Sequence, residues 1–143
     1  DKLEKQIKIP IVIAAHPRAK YDLNANVYGN RKVISGKTID LVANAKYVLL
    51  HSSTSINFAV LFEKPMIFII TEGITGSYYD YQINGFASLF GVKPYDGKDR
   101  NNLMTYITKP GDLYADYREN YIKTNNSPKK YFWDIVADQI FGA

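Results

Sequence analysis

Residues 47–70 read YVLLHSSTSINFAVLFEKPMIFII, a stretch in which apolar segments of strand and helix length flank a polar cluster. Tyr47–Leu50 and Pro65–Ile70 are apolar runs without strict alternation, the pattern of strands buried on both faces of a sheet. Between them, Ile56–Phe62 is apolar nearly all round, which predicts a buried helix. The stretch therefore predicts a strand–helix–strand unit, which joins parallel strands in α/β folds.

The alternation of strands and helices continues on both sides of this unit. Further strands are predicted at Ile9–Ala15, Lys32–Ser35 and Leu103–Ile107, and a further helix at Lys37–Ala45. Residues 71–77 are predicted to form a loop, and a helix follows over Tyr79–Phe90. The predicted fold class is α/β, a Rossmann-like open parallel sheet with helices on both faces.

Two helices are predicted near the C-terminus. One begins at Asp112 and carries a stripe spaced by four residues, namely Leu113, Tyr117 and Tyr121. The other opens with Ser127-Pro128 as N-cap and first-turn proline. Its predicted inner face is formed by Tyr131, Phe132, Ile135, Val136 and Ile140. Tyr117, Tyr121 and Trp133 are expected to pack in the core rather than to form a stacking surface.

Length and composition predict one domain over residues 1–143. The chain is 46% hydrophobic and 22% charged and has no cysteine, which excludes a disordered tail, a disulfide scaffold and a thiol nucleophile. No apolar run approaches the ~20 residues of a membrane span. Asp1-Lys2-Leu3-Glu4 is neither an initiator methionine nor a signal peptide, so we expect a piece of a longer chain.

The formal net charge of +4 is concentrated in the first third of the chain. Residues 1–46 carry nine Lys/Arg against four Asp/Glu, a balance of +5, whereas residues 47–143 carry nine against ten, a balance of −1. The excess includes Arg18, Lys20, Arg31, Lys32 and Lys37. A solvated surface and an anionic partner both explain it. No nucleic-acid partner is expected, because the basic residues form no block and lack interleaved aromatics.

Two polar clusters follow predicted strands, at the edge where open parallel sheets bind ligands. His16-Pro17-Arg18 follows the first strand, and His51-Ser52-Ser53-Thr54-Ser55 lies between the third strand and a helix. Hydroxyls beside the unpaired N–H groups of a helix start favour phosphate, although one of them is explained by N-capping alone. His16 is a donor to a phosphate oxygen and Arg18 a clamp for it, unless the turn is an incidental polar one.

The other candidate residues are less specific. His51 either lines the pocket or fills a strand end. Glu72 lies in a glycine-bearing loop suited to ribose, base or sugar contacts, or is an exposed loop acid. No metal and no cofactor are expected, because the two histidines lack metal-binding spacing and acidic neighbours. The dinucleotide fingerprint, the phosphate-binding loop and the G-x-S-x-G elbow are all absent.

Taken together, these residues resemble a known family. A strand ending in His16-Pro17-Arg18, followed by a strand, a Ser/Thr cluster, a helix and Lys64-Pro65, resembles the C-terminal nucleotide-binding domain of GT-B glycosyltransferases. The pattern is similar to that of bacterial sialyl- and polysialyltransferase-like enzymes and of teichoic-acid glycerophosphotransferases. UDP-N-acetylglucosamine 2-epimerases share the same half-fold. The resemblance covers about residues 8–70.

The resemblance implies roles for the candidate residues. His16 corresponds to the catalytic histidine that contacts the donor phosphate and helps the nucleotide to leave, and Ser53 and Thr54 to the hydroxyls that bind that phosphate. Asn57-Phe58 stands where relatives place ribose-gripping glutamates, and His51 replaces an acidic position of the glycerophosphotransferases. Both departures favour a cytidine-type (CMP) donor over UDP. The remaining substrate-binding candidates are Arg18, Ser52, Ser55 and Glu72.

The function implied is that of the donor-binding half of a glycosyltransferase that makes a capsular, exopolysaccharide or lipopolysaccharide glycan. The partners are a nucleotide-sugar donor and a glycan acceptor, the latter held by an N-terminal domain of the same enzyme. That domain also supplies the general base, so the isolated chain is expected to bind the donor without turnover. A cytoplasmic location is implied, with peripheral association at the inner face of the membrane left open. The alternatives are a UDP-sugar 2-epimerase-like domain and a non-catalytic nucleotide- or sugar-binding module.

Overall fold

Strands and helices alternate along the chain in the computed structural model, which describes residues 2–16, 28–98 and 103–142. The strands of this part are β1 (Ile13–Ala15), β2 (Val33–Ser35), β3 (Val48–Leu50) and β4 (Met66–Phe68). The α-helices are α1 (Lys2–Ile7), α2 (Thr38–Asn44), α3 (Ile56–Leu61), α4 (Tyr78–Leu89), α5 (Asp112–Tyr117) and α6 (Phe132–Phe141). Short 3-10 helices cover Glu72–Ile74 and Leu103–Tyr106, and a π-helix over Arg118–Ile122 continues α5.

Both pairs of strands are parallel. β1 pairs with β2, with Ile13 opposite Val33, and β3 pairs with β4, with Leu50 opposite Phe68. The fold is therefore mixed α/β, with short parallel two-stranded sheets and intervening helices. Because β3 and β4 run in the same direction, the loops that follow them leave the sheet at the same edge.

The second edge of β4 carries two further short pairings. Ile69 forms a parallel bridge with Tyr95, and Ile67 forms an antiparallel bridge with Ile107. The prediction of a strand over Leu103–Ile107 is wrong, because Leu103–Tyr106 is a 3-10 helix and only Ile107 bridges β4. The Thr108 N–H then donates to the Met66 carbonyl of β4 at 3.0 Å, and α5 begins at Asp112.

The main core lies between β3–β4 and the helices α2 to α5. Phe68 of β4 and Phe90, which follows α4, stack with ring centroids 6.0 Å apart. Phe90 also contacts Tyr114 and Tyr117 of α5, each at 5.2 Å. The buried members of this cluster include Val42, Val48, Leu50, Ile56, Ala59, Val60, Met66, Phe68, Ile83 and Ala87. Aromatic contacts thus hold α4 and α5 against β4.

A second apolar cluster covers the opposite side of β4. It contains Ile67 and Tyr95 together with Leu3 of α1, and the Tyr95 hydroxyl donates to Gln6 Oε1 at 3.0 Å. All three residues of β4 are buried, as the continuous apolar run predicts. Helix α1, which the sequence patterns did not predict, therefore contributes to the core beside β4.

Two predictions of complete burial are wrong. The first strand is only Ile13–Ala15, and Val12 just before it is 43% exposed, so the run at Ile9–Ala15 is not covered on both faces. In α3, Ile56 and Ala59 are buried whereas Leu61 is 50% exposed. In both segments some apolar side chains, such as Val12 and Leu61, are not covered by neighbouring elements.

The two C-terminal helices also differ from the predictions. α5 begins at Asp112 as expected, but its buried residues are Tyr114 and Tyr117, while Leu113 and Tyr121 are exposed. The Tyr117 and Tyr121 rings do stack on each other, with centroids 4.9 Å apart, but the core covers only Tyr117 of the predicted stripe.

α6 begins at Phe132 rather than at Ser127-Pro128. The expected inner face is largely exposed, with Tyr131, Phe132 and Ile140 all open to solvent and Ile135 and Val136 half-buried. Trp133, expected in the core, is 74% exposed. The amphipathic pattern predicts the helix, whereas burial requires a facing surface that the described residues do not complete around it. Among the described residues, no helix combines the length and apolarity needed to cross a membrane.

Candidate functional site

The predicted phosphate loop, residues 51–55, joins β3 to α3 at the carboxyl end of β3. His51 and Thr54 are exposed, whereas Ser52, Ser53 and Ser55 are half-buried. The loop that follows β4 leaves the sheet at the same edge, because the two strands are parallel. This edge is where an open parallel sheet presents ligand-binding groups.

The backbone of loop 51–55 differs from the expectation of unpaired amides and an N-capping hydroxyl. The Ser55 N–H donates to Ser53 Oγ at 3.2 Å, and the Ile56 and Asn57 N–H groups donate to the carbonyls of Ser53 and Thr54. Ser55, at the N-cap position, makes no side-chain capping bond. The turn itself therefore uses the Ser55, Ile56 and Asn57 amides, which the prediction had left unpaired for a phosphate.

The hydroxyls of the loop divide into two groups. Ser52 Oγ donates to Gln82 Oε1 of α4, and Ser53 Oγ already accepts the Ser55 amide while keeping its own proton to donate. The hydroxyls of Thr54 and Ser55 have no hydrogen-bond partner in the part of the chain that the structure describes. Ser53, Thr54 and Ser55 thus leave three hydroxyl donors for an anion.

Gln82 connects the loop to the first turn of α4. While its Oε1 accepts from Ser52, its Nε2 donates to the Tyr78 hydroxyl at 2.9 Å. Gln82 and Tyr78 were not among the candidate residues predicted from the sequence, because a glutamine on a helix belongs to no recognisable binding motif. The run Tyr78-Tyr79-Asp80-Tyr81 was the only available signal, since three tyrosines at a helix start are unusual for an exposed surface.

The start of α4 is well fixed. Ser77 is the N-cap, and its Oγ accepts from the Asp80 N–H at 3.4 Å and donates to the Ile74 carbonyl at 2.6 Å. The Asp80 carboxylate accepts from the Gly76 N–H at 2.6 Å, and Gly76 has a φ of +77°, which favours glycine. These reciprocal bonds at the N-terminus hold the turn that carries Tyr78.

Glu72 lies beyond β4 in the 3-10 helix, 83% exposed, and pairs with Lys98 Nζ at 2.7 Å. The hydrogen bond to Lys98 lowers the pKa of the Glu72 carboxyl, and the same contact raises the pKa of Lys98. Lys98 follows Tyr95, which bridges Ile69 in parallel, so both partners leave from the same edge. A ribose contact by Glu72 would therefore share its carboxylate with Lys98.

The first predicted cluster is described only at His16, which is exposed directly after β1. Pro17, Arg18 and Lys20 lie outside the described residues. The described contacts thus relate Ser52 to α4 and Glu72 to Lys98, and His16 lies directly after β1.

Some of the excess basic residues in the first third of the chain form ion pairs within the fold. Arg31 Nη2 contacts Glu4 Oε2 at 2.6 Å, and Glu4 Oε1 accepts the Ile11 N–H at 2.9 Å. The Ile11 bond and then the Arg31 guanidinium lower the pKa of Glu4. Lys37 pairs with Asp40 at 3.5 Å, so two of the named basic residues already have acidic partners.

Neither of two surface cavities coincides with the predicted site. One, of about 380 Å³, is lined by Glu4, Lys5, Lys8, Ile9 and Pro10. The other, of about 200 Å³, lies between the end of α3 and the start of α5 and includes Glu63 and Arg118. Both are shallow. Within the described residues, no three acidic or histidine side chains group in a way that would hold a metal ion. Comparison of the chain with protein-family models, curated proteins and solved structures finds no match.

Proposed function

We propose that the chain binds the nucleotide-sugar donor of a GT-B-type glycosyltransferase of bacterial surface-polysaccharide synthesis. The observation that carries the proposal is loop 51–55, which follows a buried parallel strand and has three hydroxyls free to donate. The sequence from this loop through Lys64-Pro65 to β4 keeps the order of the family pattern.

The proposal includes a larger sheet than the two parallel pairs. A Rossmann-like half-domain places β1–β2 and β3–β4 in one open sheet with helices on both faces. Two contacts support this arrangement. Helix α2 lies against both β1 and α3, and Ile11, which precedes β1, packs in the cluster that contains Ile67 of β4.

In the proposed complex the donor phosphate sits on loop 51–55. Ser53, Thr54 and Ser55 donate to its oxygens, and His16 and Arg18 approach from the end of β1. Negative charge builds up on this phosphate as its bond to the transferred sugar or polyol phosphate breaks. Fixed hydrogen-bond donors stabilise that charge and so lower the barrier. His16 is the catalytic residue of the proposal, because it contacts the leaving group.

The acceptor side of the reaction belongs to another part of the enzyme. Deprotonation of the acceptor hydroxyl requires a general base, and the proposal assigns it, with the glycan acceptor, to an N-terminal domain. The chain is therefore expected to bind donor without turning it over. CMP is favoured over UDP, because Asn57 and Phe58 stand where a ribose-binding glutamate is expected.

A thermal-shift panel with CMP, CDP, UDP and GDP tests the proposal. A ligand in tenfold excess over its Kd raises the free energy of unfolding by about 1.4 kcal/mol. His16→Ala, Thr54→Val and Ser55→Ala are expected to reduce the shift. Ser88→Ala is the matched control, because it removes an exposed serine hydroxyl from the far end of α4.

Each outcome of the panel has a defined meaning. The proposal fails if no nucleotide shifts the transition. A shift that His16→Ala leaves unchanged removes His16 from the site but keeps the loop. A response to UDP alone favours the 2-epimerase-like alternative.

A further inference from the structure

Three exposed tyrosines lie at the start of α4, and one of them, Tyr78, is linked through Gln82 to Ser52 of loop 51–55. Tyr78, Tyr79 and Tyr81, all in the first turn of α4, are 70%, 57% and 75% exposed. Gln82, which is hydrogen-bonded to Ser52, places this turn next to the loop. Exposed aromatic faces beside a polar loop are suited to a ligand that has both a planar ring and a charged group.

The ring of Tyr78 is held in position while its surface stays open. Its hydroxyl accepts a hydrogen bond from Gln82 Nε2 at 2.9 Å, and the Tyr79 ring lies edge-on at 6.0 Å. The capping bonds of Ser77 and Asp80 fix the backbone of the same turn. A ring that is already ordered loses little conformational entropy when a ligand stacks on it.

We propose that Tyr78 is the stacking surface for the nucleobase of the ligand whose phosphate lies on loop 51–55. This inference rests on the proposed function. The Gln82 amide group lies between Ser52 and Tyr78 and so spans the gap between the phosphate loop and the ring. In a nucleotide the ribose separates base and phosphate in the same way. Stacking on tyrosine accepts any base, because every base has a π-face.

Isothermal titration of the full chain with CMP and with ribose 5-phosphate separates the base from the phosphate. Tyr78→Ala is expected to weaken CMP binding about tenfold and to leave ribose 5-phosphate binding unchanged. Tyr78→Phe keeps the ring and is expected to retain most of the CMP affinity. Tyr131→Ala is the matched control, because Tyr131 is another highly exposed tyrosine, just before α6.

The outcomes distinguish this inference from the proposed function. CMP binding that is unchanged in Tyr78→Ala overturns the stacking role and leaves the phosphate loop standing. Equal loss of both ligands also overturns it, since that result assigns Tyr78 to positioning of the loop. Wild-type protein that binds neither ligand overturns both proposals. Because Tyr78 is mostly exposed, an unchanged unfolding midpoint is expected for both variants and verifies that they are folded.

Discussion

The Ser52 hydroxyl donates to Gln82 Oε1, which ties the loop after β3 to the second turn of α4 across 30 residues of sequence. Gln82 in turn donates to the Tyr78 hydroxyl, so one amide side chain links loop 51–55 to Tyr78. In the proposed site Ser52 is therefore a positioning residue, and Ser53, Thr54 and Ser55 are the hydroxyls proposed to donate to the ligand.

A double-mutant cycle measures this coupling. Ser52→Ala and Gln82→Met are each expected to lower the free energy of unfolding by about 0.5–1.5 kcal/mol, since each removes a partly buried hydrogen bond. The double variant should lose less than the sum of the two, because both substitutions remove the same bond. Urea unfolding provides the measurement, with Ser88→Ala as the control. Strictly additive losses would show that the two side chains do not interact.

Because of Tyr114, the protein is expected to become less stable at alkaline pH. Its hydroxyl donates to the Lys64 carbonyl at 2.8 Å and pairs with Thr108, and burial raises its pKa to about 12. Above pH 10 the unfolded chain releases this proton while the folded chain keeps it. The free energy of unfolding therefore falls between about pH 10 and 12, by at most about 1.4 kcal/mol per pH unit from this group.

The Tyr114→Phe variant isolates that contribution. It is expected to be less stable at pH 7 by about 1–2 kcal/mol, and to show a shallower fall above pH 10 than the wild type. Tyr131→Phe, which alters an exposed tyrosine, should keep the wild-type slope. Identical slopes for wild type and Tyr114→Phe would mean that Tyr114 titrates normally.

Glu4 is expected to affect stability in acid, where its contribution to the free energy of unfolding is lost as the pH falls. Its pKa is lowered by the Ile11 amide and by Arg31, so its stabilising effect is present above pH 4.5, the ordinary glutamate value, and is lost as the pH falls through the folded-state pKa. Glu4→Gln should therefore flatten the decline in stability below pH 4.5. It should also speed hydrogen exchange at the Ile11 amide, which donates to Glu4. Glu63→Gln alters an exposed glutamate and is the control; if it has the same effect, the Glu4 contacts are not responsible.

Substitution of two phenylalanines, one buried in the core and one exposed on α6, tests which elements form the core. Phe68 is completely buried in β4, and Phe68→Ala is expected to cost about 3–5 kcal/mol by loss of apolar burial and creation of a cavity. Phe132, at the start of α6, is 67% exposed, and Phe132→Ala should change stability by no more than about 0.5 kcal/mol. Chemical denaturation of both variants compares them directly. A large loss from Phe132→Ala would mean that α6 is packed in solution.

Local patterns predicted the elements that pack in the main core. Met66, Ile67 and Phe68 are all buried, as a continuous apolar run indicates, and α4 covers nearly the predicted range. The same patterns were wrong at Leu103–Ile107 and on α6. A short, mostly apolar segment such as Leu103–Ile107 fits a strand or a helical turn equally well, and an amphipathic stripe does not determine which surface faces it.

The sequence alone determined the strand–loop–helix–strand order over residues 47–70, because that order depends on short-range periodicity. It also singled out His16, Glu72 and the polar loop 51–55 as candidates by residue type. The tertiary structure alone decided that Ser52 donates to Gln82, which also contacts Tyr78, and that Glu72 is paired with Lys98. The Ser52–Gln82 and Glu72–Lys98 contacts join residues distant in sequence. Their free energies arise only when the chain packs, so no local window contains them.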